Sequence, residues 1–296
     1  MARFEDKTVL ITGASGAIGV EVARRLGAGG ARLALSARRA QRLAALADEI
    51  AATGAPRPVV LASDLGRRGG AVEVADRAIE ALGHVDVLVN NAGASMQGLT
   101  WVVGDRDEAR EVLETNLWSP LALVAALAPH MVVRGAGAIV NVGSMAQVSP
   151  FPHLGHYAAS RAALAVATQV LQMELAPRGI RVVEVALGPV DTPASRENRV
   201  LAGAERWLEG RPGLGNASTA AATIVAAATG DAEGVVFYPR MLRWPHRLPA
   251  LGRRYARRAA KHADVRDETV RLGGSAGDPE LRALRERWET TETGGP

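Results

Sequence analysis

The chain has 296 residues, 48% of them hydrophobic and 22% charged, with a formal net charge of +4. That composition is ordinary for a globular protein with one large core. The absence of cysteine excludes disulfides, thiolate metal sites and a cysteine nucleophile. No apolar signal region opens the sequence and no uninterrupted apolar run reaches membrane-spanning length, so a cytoplasmic protein is expected.

Charge is uneven along the chain. From Gly234 to Ala263 eight residues are Arg or Lys and none is Asp or Glu, whereas Asp264 to Pro296 carries eight acids and five bases. Lysine occurs only as Lys7 and Lys261, while arginine abounds.

Thr8 to Ile11 is a short apolar run that predicts a strand. It leads into T-G-A-S-G-A-I-G, Thr12 to Gly19, and a helical pattern through Leu26. Strand, glycine-rich turn and helix is the context that a phosphate-binding loop needs. Glycine permits the tight turn and close backbone approach, and the helix start supplies free N–H groups. An ordinary β–α turn in a glycine-rich chain fits the same pattern. Arg32 to Ser36 predicts a second strand, and Ala37, Arg38 and Arg39 follow it. At this point of a dinucleotide fold an acid holds the 2′-hydroxyl of NAD. Ser36, Arg38 and Arg39 instead suit a 2′-phosphate, which guanidinium groups bind in bidentate fashion. NADP(H) is therefore favoured over NAD(H). A solvated helix start is the plainer alternative, because Gln41 to Ala52 is an amphipathic helix.

Pro58 to Ala62 predicts the third strand, with Asp64 and Leu65 after it, and Ala71 to Leu82 a helix. Val85 to Val89 reads as a buried strand ending in N-N-A-G, Asn90 to Gly93. Asp105 to His130 is a long helical region interrupted near Pro120. Asn116 lies inside it, where asparagine is a poor helix former and marks a bend or a site residue. Gly137 to Val142 is the fifth strand and delivers Ser144. Tyr157 to Ala176 is a helix that carries Tyr157 and, one turn on, Arg161. Ile180 to Ala186, the helix Ala217 to Ala228 and Gly234 to Tyr238 complete the alternation. The pattern predicts an α/β fold with a doubly wound parallel sheet of about seven strands. Residues 1–240 would form the nucleotide-binding and catalytic domain, and 241–296 a C-terminal extension.

Ser144, Tyr157 and Arg161 bring a hydroxyl, a phenol and a cation together. Such a set moves protons on or off a carbonyl or alcohol oxygen. A free tyrosine titrates near about pH 10, and a nearby cation favours its ionised form.

These pieces, in this order, resemble the short-chain dehydrogenase/reductase family over about Lys7 to Pro239. They are T-G-A-S-G-A-I-G, N-N-A-G, Asn116, Ser144 with Tyr157, and G-P-V-D-T from Gly188 to Thr192. The resemblance implies a Rossmann-like fold and an NAD(P)-dependent oxidoreductase. It implies that Gly13, Ser15, Gly16, Ile18 and Gly19 line the diphosphate. Asp64 and Leu65 would touch the adenine, and Asn91 would sit by its ribose, with Gly93 in the same turn. Tyr157 would be the acid/base, Ser144 the holder of the substrate oxygen, and Asn116 the anchor of a water in a proton relay. Val190 and Thr192 would reach the nicotinamide carboxamide, and the helices around Asn116 and Tyr157 would pair subunits in a homo-oligomer. Three positions depart from the family pattern. Arg161 stands where lysine is usual, Ala17 follows Gly16 where glycine is commoner, and Leu187 replaces a proline. Arginine keeps the charge but cannot release a proton. An alternative follows from it, a cofactor-binding regulatory or interaction protein with weak catalysis.

The expected pocket runs past Ala94 to Met96, Met145 to Gln147, Phe151 to Leu154 and Leu187, under a cover from Pro193 to Gly215 with Trp207. Its apolar lining suggests a bulky hydrophobic ketone or alcohol. His153 and His156 lie close by and are read as wall residues. Beyond it, Leu248, Leu251, Tyr255 and Ala259 share one helical face, surrounded by Arg253, Arg254, Arg257, Arg258 and Lys261. Residues 241–262, with Trp244, read either as peripheral contact with an anionic membrane or as a lid or subunit-contact helix. No nucleic-acid recognition motif accompanies the charge. The end, 273–296, reads as a partly disordered tail with one short helix near Pro279 to Trp288.

Overall fold

The structure, a computed structural model, describes residues 4–193, 195, 215–248, 250, 253, 254 and 257. Among these residues the strands are β1 (Thr8–Thr12), β2 (Arg32–Ala37), β3 (Val59–Ala62), β4 (Val87–Asn90), β5 (Gly137–Ser144), β6 (Ile180–Leu187), β7 (Val190–Asp191), β8 (Gly215–Asn216) and β9 (Gly234–Tyr238). The helices are α1 (Ala17–Ala28), α2 (Ala40–Ala52), α3 (Gly70–Leu82), α4 (Thr100–Val103), α5 (Asp107–Leu113), α6 (Ser119–Arg134), α7 (Gly155–Leu175), α8 (Ala217–Thr229) and α9 (Arg243–Arg247).

Seven strands pair in parallel in the order β3-β2-β1-β4-β5-β6-β9. This is the doubly wound, Rossmann-like sheet that the alternation predicts. Its strands read as continuous apolar runs because both faces are covered; all five residues of β1 are buried. Val9, Ile11, Leu33, Leu35, Val183 and Val185 pack with α1, α2 and α8 on one face. Leu10, Ala34, Leu88, Ile139 and Val182 pack with α3 and α6 on the other. Each large aliphatic side chain buried in this way contributes about 1.5–3 kcal/mol.

Strand order reverses between β1 and β4. The loops leaving the carboxyl ends of these two strands diverge and open a crevice, the usual ligand position in such sheets. The glycine-rich loop leaves β1, and Asn91 to Gly93 follow β4.

Two local features differ from expectation. The long helical region breaks earlier than Pro120, at a π-helical turn, Glu114–Trp118. Pro120 sits in the first turn of α6, where its missing N–H costs nothing. The cause is Asn116, whose side chain is tied to backbone and to a second helix as described below. The pair β7–β8 is an addition that short-range pattern does not reveal. The expected cover over 193–215 lies almost wholly outside the described residues. So do Trp207, Leu251, Tyr255, Ala259, Arg258, Lys261 and the tail.

Asp107–Arg134, taken as one stretch, is long and apolar enough to cross a bilayer by length and composition. Leu123, Leu127 and Met131 place much of that apolar surface in the core.

Candidate active site

The loop between β1 and α1 is fastened to the end of β4. Gly13 has φ +63°, and a Cβ there would lie 2.7 Å from Ala92 Cα, so only glycine fits. Asn91 Nδ2 donates to Thr12 O at 3.0 Å and to Gly13 O at 3.2 Å. Thr12 Oγ1 accepts from Asn91 N and Ala92 N, both at 3.0 Å. Asn91, expected beside a ribose, thus holds the loop with its amide nitrogen. A Cβ on Gly19 would strike Gly13 O, which explains the second constraint on the motif. Gly16 caps α1 without any side-chain bond, and the first turn carries no acid. Its orphan N–H groups, beside Ser15 and Ile18, are a ready anion site.

In register with this loop, Thr12 pairs with Ser36. Ser36 Oγ is buried and has no hydrogen-bond partner. Arg38 is 72% exposed, with only a loose 3.9 Å approach to Glu111, and Arg39 is exposed too. An unsatisfied hydroxyl and two accessible guanidinium groups at the end of β2 fit a dinucleotide bearing a 2′-phosphate. Asp64 Oδ1 accepts from Gly66 N at 2.9 Å, and the carbonyl of buried Leu65 accepts from Ser119 Oγ at 2.7 Å. These bonds shape the neighbouring loop after β3.

Ser144 ends β5, and its Oγ accepts from Ala146 N at 3.2 Å. With that lone pair engaged, its proton is free to be donated. Tyr157 is half-buried in the first turn of α7, which packs on β5 and on the turn after Ser144. Arg161 is only 7% exposed. Its Cζ stands 5.4 Å from the centroid of the Tyr157 ring, within cation–π range. Its Nη1 donates to Val142 O at 3.1 Å, and its Nε is buried without a partner. Its Nη2 lies against Gly93, where a Cβ would collide with it. Gly93 therefore leaves the space that the guanidinium fills. Among the described residues Arg161 has no carboxylate partner, so this buried charge is set to favour electron-rich groups placed beside it.

Asn116 is fully buried in the π turn. Its Oδ1 accepts from Ala94 N at 2.9 Å, and its Nδ2 donates to Ala94 O at 2.8 Å and to Ser160 Oγ at 2.9 Å. Ser160 Oγ in turn donates to Tyr157 O at 2.8 Å. Asn116 so joins the loop after β4 to the first turns of α7. Ser160 was not singled out from the sequence; its only signal is a polar residue one turn after Tyr157. Val190 is buried in β7, and Thr192 Oγ1 accepts from Ser195 N at 3.1 Å just beyond it. The His156 ring bonds Gly104 O at 2.6 Å, and the backbone carbonyl of His153 accepts from Gly98 N at 3.0 Å, so the His156 side chain and the His153 main chain fasten the segment from Gly98 to Gly104.

The whole set collects at the carboxyl edge of a doubly wound parallel sheet. Residues 7–200 match the family model described as short chain dehydrogenase. The chain belongs to the short-chain dehydrogenase/reductase family. It is 36% identical over 199 residues to the dehydrogenase/reductase SDR family member 7B of Bos taurus, covering 66% of this chain and 61% of that one. It is 31% identical over 195 residues to an uncharacterized oxidoreductase of Staphylococcus epidermidis, covering 65% and 82%. The chain thus spans about three fifths of the length of the bovine relative. Among solved structures, a 3-oxoacyl (acyl-carrier-protein) reductase from Agrobacterium tumefaciens with NADP bound superposes with a TM-score of 0.72 at 27% identity, over 79% of this chain and 93% of that one. A short chain dehydrogenase/reductase family protein gives 0.70 at 31% identity, over 80% and 97%.

Proposed function

We propose that the chain is an NADP(H)-dependent oxidoreductase acting on the carbonyl or alcohol of a bulky hydrophobic substrate, with Tyr157 as acid/base. The observation that carries this reading is the buried Arg161 guanidinium against the Tyr157 ring, next to the Ser144 turn and at the same sheet edge as the uncapped glycine loop. The NADP bound to the related reductase and the Ser36, Arg38 and Arg39 set support the cofactor choice. When bound, NADPH supplies hydride to the carbonyl carbon.

The residues of this chain do the rest. Ser144 donates its free proton in a hydrogen bond to the substrate oxygen, and Tyr157 transfers its phenolic proton to that oxygen as negative charge develops. Arg161 keeps a fixed positive charge beside the phenol. Because a guanidinium does not release a proton in a protein, Arg161 cannot reprotonate Tyr157, and that proton comes from solvent. Gly13, Gly16, Gly19, Ser15 and Ile18 would hold the diphosphate. Asp64, Leu65 and Asn91 would bound the adenosine, and Val190 and Thr192 the nicotinamide.

The test is NADPH oxidation with a panel of ketones. Turnover of large apolar ketones is expected, and turnover confined to small polar sugars would contradict the substrate reading. Tight NADPH binding with no turnover of any ketone would favour a regulatory protein instead.

Two surfaces extend the reading. Val166, Val170 and Met173 are exposed along one face of α7, and Trp118 is exposed beside α6, which suits pairing of two copies. Met241, Trp244 and Leu248 are exposed among Arg240, Arg243 and Arg247. That arrangement suits contact with an anionic membrane. Sedimentation with anionic vesicles at low salt checks it, and an unbound protein would remove it.

A further inference from the structure

The pair β7–β8 stands apart from the seven-stranded sheet, and each of its strands is two residues long. A two-stranded ribbon of that size does not hold its place by its own hydrogen bonds. It carries Val190 and leads to Thr192, and Gly215 N at the start of β8 donates to Pro189 O at 2.9 Å just before β7. One residue of the main sheet, Tyr238 at the end of β9, fastens both strands of the pair.

Tyr238 lies level with the catalytic edge. It is in register with Leu187 on β6, and Leu187 with Ser144 on β5. Its main chain holds the approach to β7, because Gly188 N donates to Tyr238 O at 2.7 Å. Its side chain holds β8. The ring lies against Gly215, where a Cβ would be 2.3 Å from Tyr238 Cε1, and the phenolic oxygen accepts from Asn216 N at 3.1 Å. Thr219 Oγ1 donates to Asn216 Oδ1 at 3.0 Å, which leaves the phenolic O–H to donate to Thr219 Oγ1. Asn216 in turn caps α8 by accepting from Thr219 N at 2.8 Å. A phenylalanine would fill the same space as the ring, so the hydroxyl serves the placing of β8 rather than the packing of the core. The pair also borders the glycine-rich loop. A cavity of about 900 Å³ is lined by Ser15 and Ala17 from that loop and the start of α1, together with Pro193, Asn216 and Thr219 from beside the pair.

We propose that Tyr238 is a positioning residue for the nicotinamide half of the cofactor, acting through β7–β8. The assignment rests on the reading above that Val190 and Thr192 bound the nicotinamide. The phenol fixes Gly215 and Asn216, and these fix Val190 and Asp191 by their pairing. Val190 and Thr192 are then held in place before the cofactor arrives, and that preorganisation favours binding. The residues assigned to the adenosine and the diphosphate lie on the loops after β1, β2, β3 and β4, away from this tie.

The test is titration calorimetry on the full chain with two ligands, NADPH and 2′-phospho-ADP-ribose, which lacks only the nicotinamide. The wild type is expected to bind NADPH the more tightly. In Tyr238→Phe, which keeps the ring on Gly215, NADPH affinity falls about tenfold, the scale of one lost hydrogen bond. The affinity for 2′-phospho-ADP-ribose stays as in the wild type. A structural role alone would weaken both ligands together. Tyr238→Phe keeping the wild-type preference for NADPH, with both affinities lowered alike or neither changed, overturns the inference and leaves the nicotinamide reading standing. A wild type that binds the two ligands equally tightly refutes that reading, and the inference falls with it.

Discussion

At the scale of single residues, Arg161 decides how the site is read. It keeps the charge expected one turn after Tyr157, and its planar head occupies the gap above Gly93. Gly93→Ala is therefore expected to displace the guanidinium and lower kcat about a hundredfold. In the double variant Gly93→Ala with Arg161→Lys, part of that loss should return, because an ammonium does not need the space of Nη2. Steady-state kinetics on the four proteins gives the coupling directly, and additive losses would refute the pairing. A large rise in turnover for Arg161→Lys alone would show that the native proton path is impaired. Arg38 and Arg39 carry the proposed cofactor choice. Replacing both with Ala is expected to raise KM for NADPH about ten- to a hundredfold, with little change for NADH. Equal effects on the two cofactors would remove the 2′-phosphate assignment.

At the scale of elements, β1 and β4 are tied by side chains at the edge opposite the site as well. Asp86 Oδ2 accepts from Thr8 N at 2.9 Å and from Thr8 Oγ1 at 3.1 Å, and Arg134 at the end of α6 pairs with the same carboxylate. Burial alone would raise the Asp86 pKa, but the Thr8 amide and the Arg134 guanidinium outweigh it and hold it below the usual carboxylate value. A lowered folded-state pKa adds stability that is fully present above the unfolded value, near about pH 4, and is lost as pH falls through the folded value. Asp86→Asn is expected to lower stability near neutrality by about 1–3 kcal/mol and to flatten the acid limb. Urea unfolding across pH reads both, and an unchanged acid limb would contradict the assignment. The seven strands of the main sheet were legible in the sequence to within one or two residues, because buried parallel strands leave unbroken apolar runs, whereas β7 and β8 were not. The break at Asn116 was visible as a polar residue in a helix. Its exact place was not, since the bonds that set it go to Ala94 and Ser160, 22 and 44 positions away. Glu184 went unnoticed for the same reason. A single acid in an apolar strand gains meaning only when the strand beside it brings Asn141 and Gly143 alongside.

At the scale of the whole molecule, the proposed catalytic and cofactor-binding groups gather at one edge of the sheet because every strand of the main sheet points the same way. Strand order then opens the crevice between the loops after β1 and β4. The exposed apolar face of α7 lies on the helix that carries Tyr157 and Arg161, so a partner copy there would stiffen the catalytic helix from behind. Val170→Asp, placed in that face, is expected to dissociate the oligomer, as read by size-exclusion chromatography with light scattering. A wild type that elutes as a monomer would contradict this pairing. The central claim is that Tyr157 is the proton donor in NADPH-dependent carbonyl reduction. The most direct measurement is a single turnover of bound NADPH with an apolar ketone, in wild type and Tyr157→Phe, with NADPH affinity measured in both. The expected result is stoichiometric alcohol in the wild type, a rate lower by about a hundredfold or more in Tyr157→Phe, and unchanged NADPH binding. Equal rates in the two proteins would contradict the account.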